Sequence, residues 1–559
     1  MLSELGKVPK NTLGTNHKVS QVLEVSSTFC TFCTRSISPI LFPNTLNTKK
    51  YYTIQQQKIV LLKLFFGEAT FAQILDDSRR LAVYLGSRGL KIDDRIAVCS
   101  ENSLNFVIPV CSALYLGAAS CPLNPGYTRR EFLHSLNISR PDYIFASESA
   151  IEKLREIADE LPWSPKLVSM GESIIDDVPR MSDLISSTIV PDPETFEACK
   201  VNVKEHTVAI MCSSGTTGIP KGVMLTDKNF LTIVCLIIEM ASENLGPSTV
   251  SLALLPYFHA YAFVLLIIQL TLGVPAIVMP HFDPDRFLST IEKHRIRNLF
   301  LVPPLMIFLA KSPLVDRYDL SSVERIWCGA ASLSPKIQEA VSQRLNRPII
   351  KQGYGMTETT LSVLRNTEDN KPGSIGKLCP STFGKVIPLD GKGSKEPLGP
   401  GQEGELCFKG DQIMKGYAGD VASTRATIDE DGWLHTGDVG YYDEEGHFYI
   451  VDRMKELIKY KGFQVPPAEL EQILLTHPEV DDAAVVGLPD EMSGELPMAF
   501  VVKQPESKVT ETNIIEYVNA RISSQKWLRG GVRFVESIPK TASGKILRRL
   551  LRAALKSKL

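Results

Sequence analysis

Between Cys212 and Val223 the chain reads Cys-Ser-Ser-Gly-Thr-Thr-Gly-Ile-Pro-Lys-Gly-Val. The hydroxyls of Ser213, Ser214, Thr216 and Thr217 flank Gly215, and Gly218 and Lys221 follow. Small residues let a backbone bend close to an anion, hydroxyls and free N–H groups donate to its oxygens, and a lysine adds a point charge. That chemistry suits the phosphates of a nucleotide; the competing reading is a Ser/Gly/Thr surface loop. The flanks favour phosphate. Thr207–Met211 has the make-up of a buried strand and an amphipathic run starts after Asp227, which puts the loop at a strand end. The string is not the P-loop, in which a glycine directly precedes the lysine and Ser or Thr directly follows it. Here Pro220 and Gly222 hold those places.

Three further strings carry chemistry. In Gly353-Tyr-Gly-Met-Thr-Glu-Thr-Thr360, Gly353 and Gly355 let the Tyr354 ring lie against a flat base, Thr357 can donate to a phosphate oxygen, and Glu358 offers a hard oxygen ligand for Mg²⁺. A helix cap beside a core tyrosine would also fit it. Trp433-Leu-His-Thr-Gly-Asp438 ends in a carboxylate that could accept both hydroxyls of a ribose, though an Asp in a turn is common. Arg453, Lys455, Lys459 and Lys461 follow closely, normally a solvated face. Near the C-terminus, Gly544 before Lys545 lets that side chain extend far from its own domain, unless the segment is only a basic tail.

The elements that must hold these strings alternate. From Gly67, helix-like Glu68–Gly89, strand-like Arg95–Ser100, helix-like Ser103–Leu116 and strand-like Ala118–Pro122 succeed one another. The rhythm returns at Asn298–Val302, Leu333–Leu345 and Pro348–Gln352, and predicts parallel sheets with crossover helices. After Gly384, Asp-Gly and Pro-Gly turns punctuate short strands, predicting a barrel or small sheet. A further mixed unit follows Arg453. Tyr257–Pro280 is apolar enough to suggest a membrane span, but Gln269, Gly273 and Pro275 predict a buried helix and a buried strand, so no transmembrane segment is expected. At 559 residues more than one domain is required. A net charge of −2 leaves no footprint for nucleic acid. The 11 cysteines, odd in number, fit a reducing compartment, and Cys30-Thr-Phe-Cys33 lacks a second pair. The chain ends Ser557-Lys558-Leu559, a peroxisomal address read by an import receptor.

Taken in order and spacing, these strings resemble the adenylate-forming superfamily of acyl-CoA synthetases, 4-coumarate–CoA ligases and beetle luciferases, over roughly Ala69 to Leu559. The resemblance implies an α/β fold: a large N-terminal domain of two parallel-type sheets plus a small β-barrel, with a small mobile α+β C-terminal domain. The expected division is a divergent segment 1–66, an adenylation domain 67–452, a hinge 453–456 and a mobile domain 457–559.

It also implies a reaction. A carboxylate attacks the α-phosphate of ATP, pyrophosphate leaves, and the thiol of coenzyme A then takes the acyl group. Positioned cations and hydroxyls matter more here than a nucleophilic side chain. By this resemblance the 213–221 loop holds the β- and γ-phosphates. Gly329-Ala330-Ala331 and Tyr354 flank adenine, and Asp438 with Arg453 holds ribose. Thr357 and Lys545 contact the α-phosphate and the substrate carboxylate, Lys545 being the main adenylation catalyst. Glu358 takes Mg²⁺. His259, Tyr261, Ile233, Gly353 and Leu361 belong to the acyl pocket. Lys455 matches the hinge of a rotating C-terminal domain, which removes Lys545 and brings Lys459 for thioester formation. Lys461, Gly462 and Gln464 lie on the segment implied to approach coenzyme A.

The departures are informative. The first 66 residues lack the family's usual opening, and Ser332 replaces the proline usual after the adenine turn. Ile233 stands where beetle luciferases place an arginine toward luciferin, and Leu361 where they place a serine. An apolar pocket of this kind would leave a polar heteroaromatic acid short of partners, at about 1–3 kcal/mol per unmet group. The expected activity is therefore a peroxisomal acyl-CoA ligase for a fatty or aryl-aliphatic acid. A luciferase-type monooxygenase and an inactive binding homologue are the alternatives.

Overall fold

The computed structural model describes residues 67–190, 196–213, 220–241, 245–331, 333–367, 369, 371, 373–389, 396–461, 463–490, 492–541 and 544–556, with the strands at 23–24 and 60–64. Cys30, Cys33, Ser214–Gly218, Gly462 and Ser557–Leu559 lie outside the described residues.

A seven-stranded sheet runs in the order Gly416–Tyr417, Lys221–Thr226, Thr207–Ser213, Ala119–Leu123, Arg95–Cys99, Tyr143–Ala146, Lys166–Ser169. The last five are parallel, and Lys221–Thr226 turns back antiparallel on Thr207–Ser213. A second sheet sets Asn298–Leu301, Arg325–Cys328 and Ile349–Tyr354 in parallel, then adds Leu364–Arg365 and Lys377–Leu378 antiparallel. The expected crossover rhythm is present in both. A four-stranded sheet of Ser251–Ala253, Ala276–Val278, Val60–Leu64 and Gly67–Thr70 completes this α/β body.

Local chemistry sets the boundaries. The segment expected to be helical from Glu68 is a strand to Thr70. There Thr70 accepts from the Gln73 N–H while the Gln73 side chain accepts from Thr70, and the helix Phe71–Ser87 begins. The apolar run after Tyr257 is the helix Ala260–Leu272, buried almost all round, followed by the strand Ala276–Val278. Gln269, its polar member, donates to Ser251 Oγ at 3.0 Å. Among the described residues, no helix is long and apolar enough to cross a membrane.

The turn-rich region differs from the expected barrel. It is an open antiparallel sheet of Leu23–Glu24, Thr382–Ile387, Gly404–Gly410, Leu434–Tyr442 and Phe448–Arg453. Its outer strands do not meet, so the sheet keeps two edges.

Beyond Arg453 the chain builds a separate sheet from Ile458–Tyr460, Phe463–Val465, Val480–Asp490, Gly494–Lys503 and Val532–Phe534. Two hydrophobic clusters support it, and every member of both lies between Ile458 and Leu555. Polar links tie it to the larger body. Asp452 Oδ2 accepts from Ala468 N–H at 2.8 Å in the first turn of the helix Pro467–Leu474, and Lys311 Nζ lies 3.4 Å from Asp481 Oδ1. The loop holding Lys545 abuts Pro304: a Cβ on Gly544 would lie 2.6 Å from Pro304 Cδ.

Candidate active site

A cavity of about 940 Å³ opens where the two bodies meet. The larger body contributes Ser213, His259, Tyr261, Gly329, Ala330, Gly353, Gly355, Thr357, Glu358, Leu361 and Arg453 to its walls; Lys455 and Lys545 complete them. Most residues singled out in the sequence thus converge on one space from six separate segments.

Asp438 is held from three sides just behind this wall. It pairs across the sheet with Arg453, whose Nε lies 3.0 Å from Oδ1; Tyr354 Oη donates to Oδ2 at 2.7 Å; and its N–H donates to Thr436 Oγ1 at 3.0 Å. Burial and the Asp438 charge push the Tyr354 phenol far up, so it stays a donor. Among the described residues Oδ1, though ion-paired with Arg453, is buried and accepts no hydrogen bond, which leaves it acceptor capacity for a hydroxyl. Tyr354 is not itself on the cavity wall; its ring packs near Phe408, 5.9 Å between centroids. The strand Leu434–Tyr442 runs on past Asp438, with Gly437 at φ 69°.

The same stretch rests on His435, which sequence reasoning passed over. Its Nδ1 lies 3.0 Å from Glu405 Oε2 and its Nε2 3.5 Å from Asp429 Oδ2, while Glu405 Oε1 accepts from Gly437 N–H at 3.0 Å. Glu405 raises the imidazole's pKa against its partial burial, with Asp429 helping. The ring thereby links two carboxylates under the Thr436–Asp438 turn.

Glu358 is buried and faces the cavity, with Tyr417 Oη donating to its Oε1 at 3.0 Å. Lys221 lies 4.6 Å over the Tyr417 ring, off the cavity wall, opposite Ser213 in the ladder of the two strands. Among the described residues Ser213 Oγ, across from Lys221, is buried without a partner. A Cβ on Gly355 would lie 2.0 Å from Leu361 O, so only glycine lets the chain turn into Thr357 and Glu358. Ala330 holds φ 71°, a strained setting for a side-chain-bearing residue at the expected adenine turn; Ala331 lies off the wall.

Lys545 enters from the C-terminal body. Thr541 N–H donates to its carbonyl at 2.9 Å, its own N–H donates to Thr541 Oγ1 at 3.1 Å, and Gly544 turns at φ 84°. Burial, and then the Arg453 guanidinium, lower the ammonium's pKa to about 8 against the pull of Asp438, Glu358 and Glu456. Lys459 lies elsewhere. It is exposed on Ile458–Tyr460, its N–H donates to Glu495 Oε2 at 2.9 Å, and it is not on the cavity wall. Lys461 stands beyond it at φ 48°, also off the wall, and Gln464 pairs with Lys459 through the backbone. The structure therefore holds the arrangement with Lys545 in the cavity and Lys459 out.

In the acyl part, burial lowers the His259 pKa to about 4, so the imidazole is neutral at pH 7. Tyr261 Oη donates to Trp327 O at 3.3 Å. Ile233 is fully buried in the core and does not reach the cavity; Leu236 and Ile237, one turn along the same helix, do. Helical spacing carried that signal, since residues three and four positions on share a side with Ile233 but stand nearer the cavity end. Phe300 and Trp327 add two further walls.

The sequence matches the AMP-binding enzyme family over residues 55–418 and the AMP-binding enzyme C-terminal domain over residues 469–545. The chain belongs to this adenylate-forming family. It is 42% identical over 492 residues to luciferin 4-monooxygenase of Nipponoluciola cruciata, covering 87% of this chain and 89% of that one. It is 40% identical over 489 residues to 4-coumarate–CoA ligase 3 of Arabidopsis thaliana, covering 85% of each. Among solved structures, ATP-bound MatB from Rhodopseudomonas palustris superposes with a TM-score of 0.81 at 26% identity, covering 90% of this chain and 97% of that one. The anthranilate CoA ligase AuaEII with anthranoyl-AMP gives 0.80 at 25% identity, covering 89% and 95%.

Proposed function

We propose that this family member is an ATP-dependent acyl-CoA ligase. The observation that carries the reading is the convergence of Lys545, Thr357 and Arg453 on one cavity, with Asp438 paired to Arg453 just behind its wall. Asp438 Oδ1 would accept from the ribose, Ser213 Oγ and the adjoining string would donate to the outer phosphates, and Glu358 would offer an oxygen to Mg²⁺. That ion, when bound, neutralises phosphate charge. Lys545 and Thr357 face the α-phosphate and the incoming carboxylate, where negative charge accumulates as the P–O bond to pyrophosphate breaks and the bond to the carboxylate oxygen forms. His259, neutral, closes the acyl end without adding charge.

Thioester formation would follow once the C-terminal body turns about Lys455 and exchanges Lys545 for Lys459, with Lys461 near coenzyme A. Two half-reactions sharing one site account for two lysines on one small body, one on the cavity wall and one away from it. Leu236, Ile237, Leu265, Phe300 and Leu361 favour the methylenes of a fatty or aryl-aliphatic acid. Ser557-Lys558-Leu559 would send the protein to peroxisomes.

The test is a panel of fatty acids, coumarate and luciferin, following pyrophosphate release with and without coenzyme A. Release with thioester formation supports the ligase. The identity to luciferin 4-monooxygenases supports a second reading, adenylation followed by oxygenation; release with light and no thioester would establish that instead. No release with any acid would leave an inactive binding homologue. Import into peroxisomes that survives removal of Leu559 would refute the address.

A further inference from the structure

Leu364–Arg365 runs antiparallel to the end of Ile349–Tyr354, with Leu364 opposite Tyr354 and Arg365 opposite Gly353. Side chains alternate across a strand, so these two pairs look out from opposite faces. Leu364 and Tyr354 join the cluster around Phe408 and Phe448, the side on which Tyr354 reaches Asp438. Arg365 projects the other way, onto the cavity wall beside Gln352, Ser362 and Cys379. On one side a glycine, Gly353, stands opposite it, and on the other Lys377, whose ammonium is turned to Asp369.

Arg365 is an unusual occupant of this wall. The polar groups around it are engaged elsewhere: Gln352 Nε2 donates to Gln338 Oε1 at 3.0 Å, Ser362 Oγ to Leu364 O at 2.7 Å, and Lys377 Nζ to Asp369 Oδ2 at 2.6 Å. Among the described residues no carboxylate pairs with Arg365, and its Nε is buried without an acceptor. A buried Nε with no acceptor is costly, and the planar fork of the guanidinium matches a carboxylate with two parallel hydrogen bonds. The Lys545 end of the cavity already holds its own cations, so a second anion-binding group on the acyl side is not needed for the reacting carboxylate.

We propose that Arg365 is a specificity-determining residue that binds a second carboxylate, at the far end of the acid whose first carboxylate is activated beside Lys545. The preferred substrates are then straight-chain dicarboxylic acids, the apolar walls holding the methylenes between the two ends. This rests on the ligase reading above.

The experiment compares a length series of dicarboxylic acids with methyl-terminated acids of matching length, in wild type, Arg365→Met and Arg365→Lys. Two readouts are taken: kcat/KM for pyrophosphate release, and acid affinity from quenching of Trp327, which lines the cavity. Wild type should favour the best diacid over its methyl-terminated match by about tenfold or more, the range of a charge-assisted hydrogen bond. Arg365→Met should reverse that preference and Arg365→Lys should retain part of it. An unchanged ratio in Arg365→Met overturns the proposal, as does a wild-type preference for the methyl-terminated acid. If Arg365→Met does not fold, Arg365→Gln carries the same comparison. Diacid binding lost in the variant, with no pyrophosphate released by any protein, would sink the ligase reading and leave this one standing. Release without discrimination would do the reverse.

Discussion

Lys545 allows a quantitative test, because its environment moves its titration into an accessible range. Burial and the neighbouring Arg453 bring the ammonium down to about 8. Only the charged form stabilises developing negative charge on the phosphoryl oxygens, so activity must fall as pH rises through that value. With a pKa of about 8, the amine is about 90% charged at pH 7 and about 10% at pH 9, a loss of about tenfold. The assay is acid-dependent pyrophosphate release with coenzyme A omitted, so that no thiol titrates, and with Mg²⁺ in excess. The fall belongs in kcat/KM for ATP, which reports the free enzyme. The kcat profile should break at higher pH, because bound phosphates favour the ammonium. Lys545→Arg, whose guanidinium stays charged, should give a lower but flat profile. Lys545→Ala should cost about 3–4 kcal/mol of transition-state stabilisation, as for loss of one preorganised donor, with ATP binding largely kept. A wild-type kcat/KM that stays level through pH 9.5, or an equal fall in Lys545→Arg, would refute the reasoning.

Asp438→Asn keeps the shape but strips the charge that pairs with Arg453, and should weaken ATP binding by about 1.5–3 kcal/mol in titration calorimetry; an unchanged Kd would remove Asp438 from the nucleotide site. Lys455→Pro should spare pyrophosphate release and suppress thioester formation, and equal loss of both would count against a hinge. His206 is buried with Nδ1 2.6 Å from Asp227 Oδ2 and Nε2 2.8 Å from Gly117 O, so both nitrogens meet acceptors and the ring is held as an imidazolium. Burial opposes that charge, but Asp227 and the carbonyl outweigh it and the pKa is raised. The resulting stability is complete below the ordinary histidine range and is lost as pH rises through the raised value. His206→Ala should cost about 3 kcal/mol at pH 6 by urea denaturation, from an unpaired buried Asp227. The gap from wild type should narrow toward pH 9; a gap that widens instead would show the ring to be neutral.

Much of this was legible in the sequence because the strings that do chemistry sit at strand ends, where residue type is tightly constrained. The buried helix and strand after Tyr257 followed from Gln269, Gly273 and Pro275, which interrupt a run otherwise apolar enough for a membrane span. What escaped depends on facing. Ile233 and Ile237 are equally apolar on paper, and only the helix's position decides which one touches the cavity. Tyr354 lies behind the wall and Arg365 on it because a register pairs Gly353 with Arg365 across a turn, and register is invisible until two strands are docked. Lys221 turns to the Tyr417 ring, a partner far along the chain. The expected barrel is an open sheet because turn chemistry dictates hairpins, not closure. The strand ending at Thr70 was within reach, since Thr70 and Gln73 have the spacing of a capping box.

The separate hydrophobic clusters beyond Arg453 carry a thermodynamic consequence. Among the described residues no apolar cluster spans the junction; Asp452, the Lys311–Asp481 pair and the contact of Gly544 with Pro304 do. Cooperativity spreads through shared apolar cores, so heating this chain should melt two proteins in succession, and one midpoint would describe neither. ATP bound between Lys545 and the larger body would couple the two meltings by mass action. Calorimetry with and without nucleotide would then measure, as a change in the spacing of two peaks, how firmly the small body is clasped during adenylation.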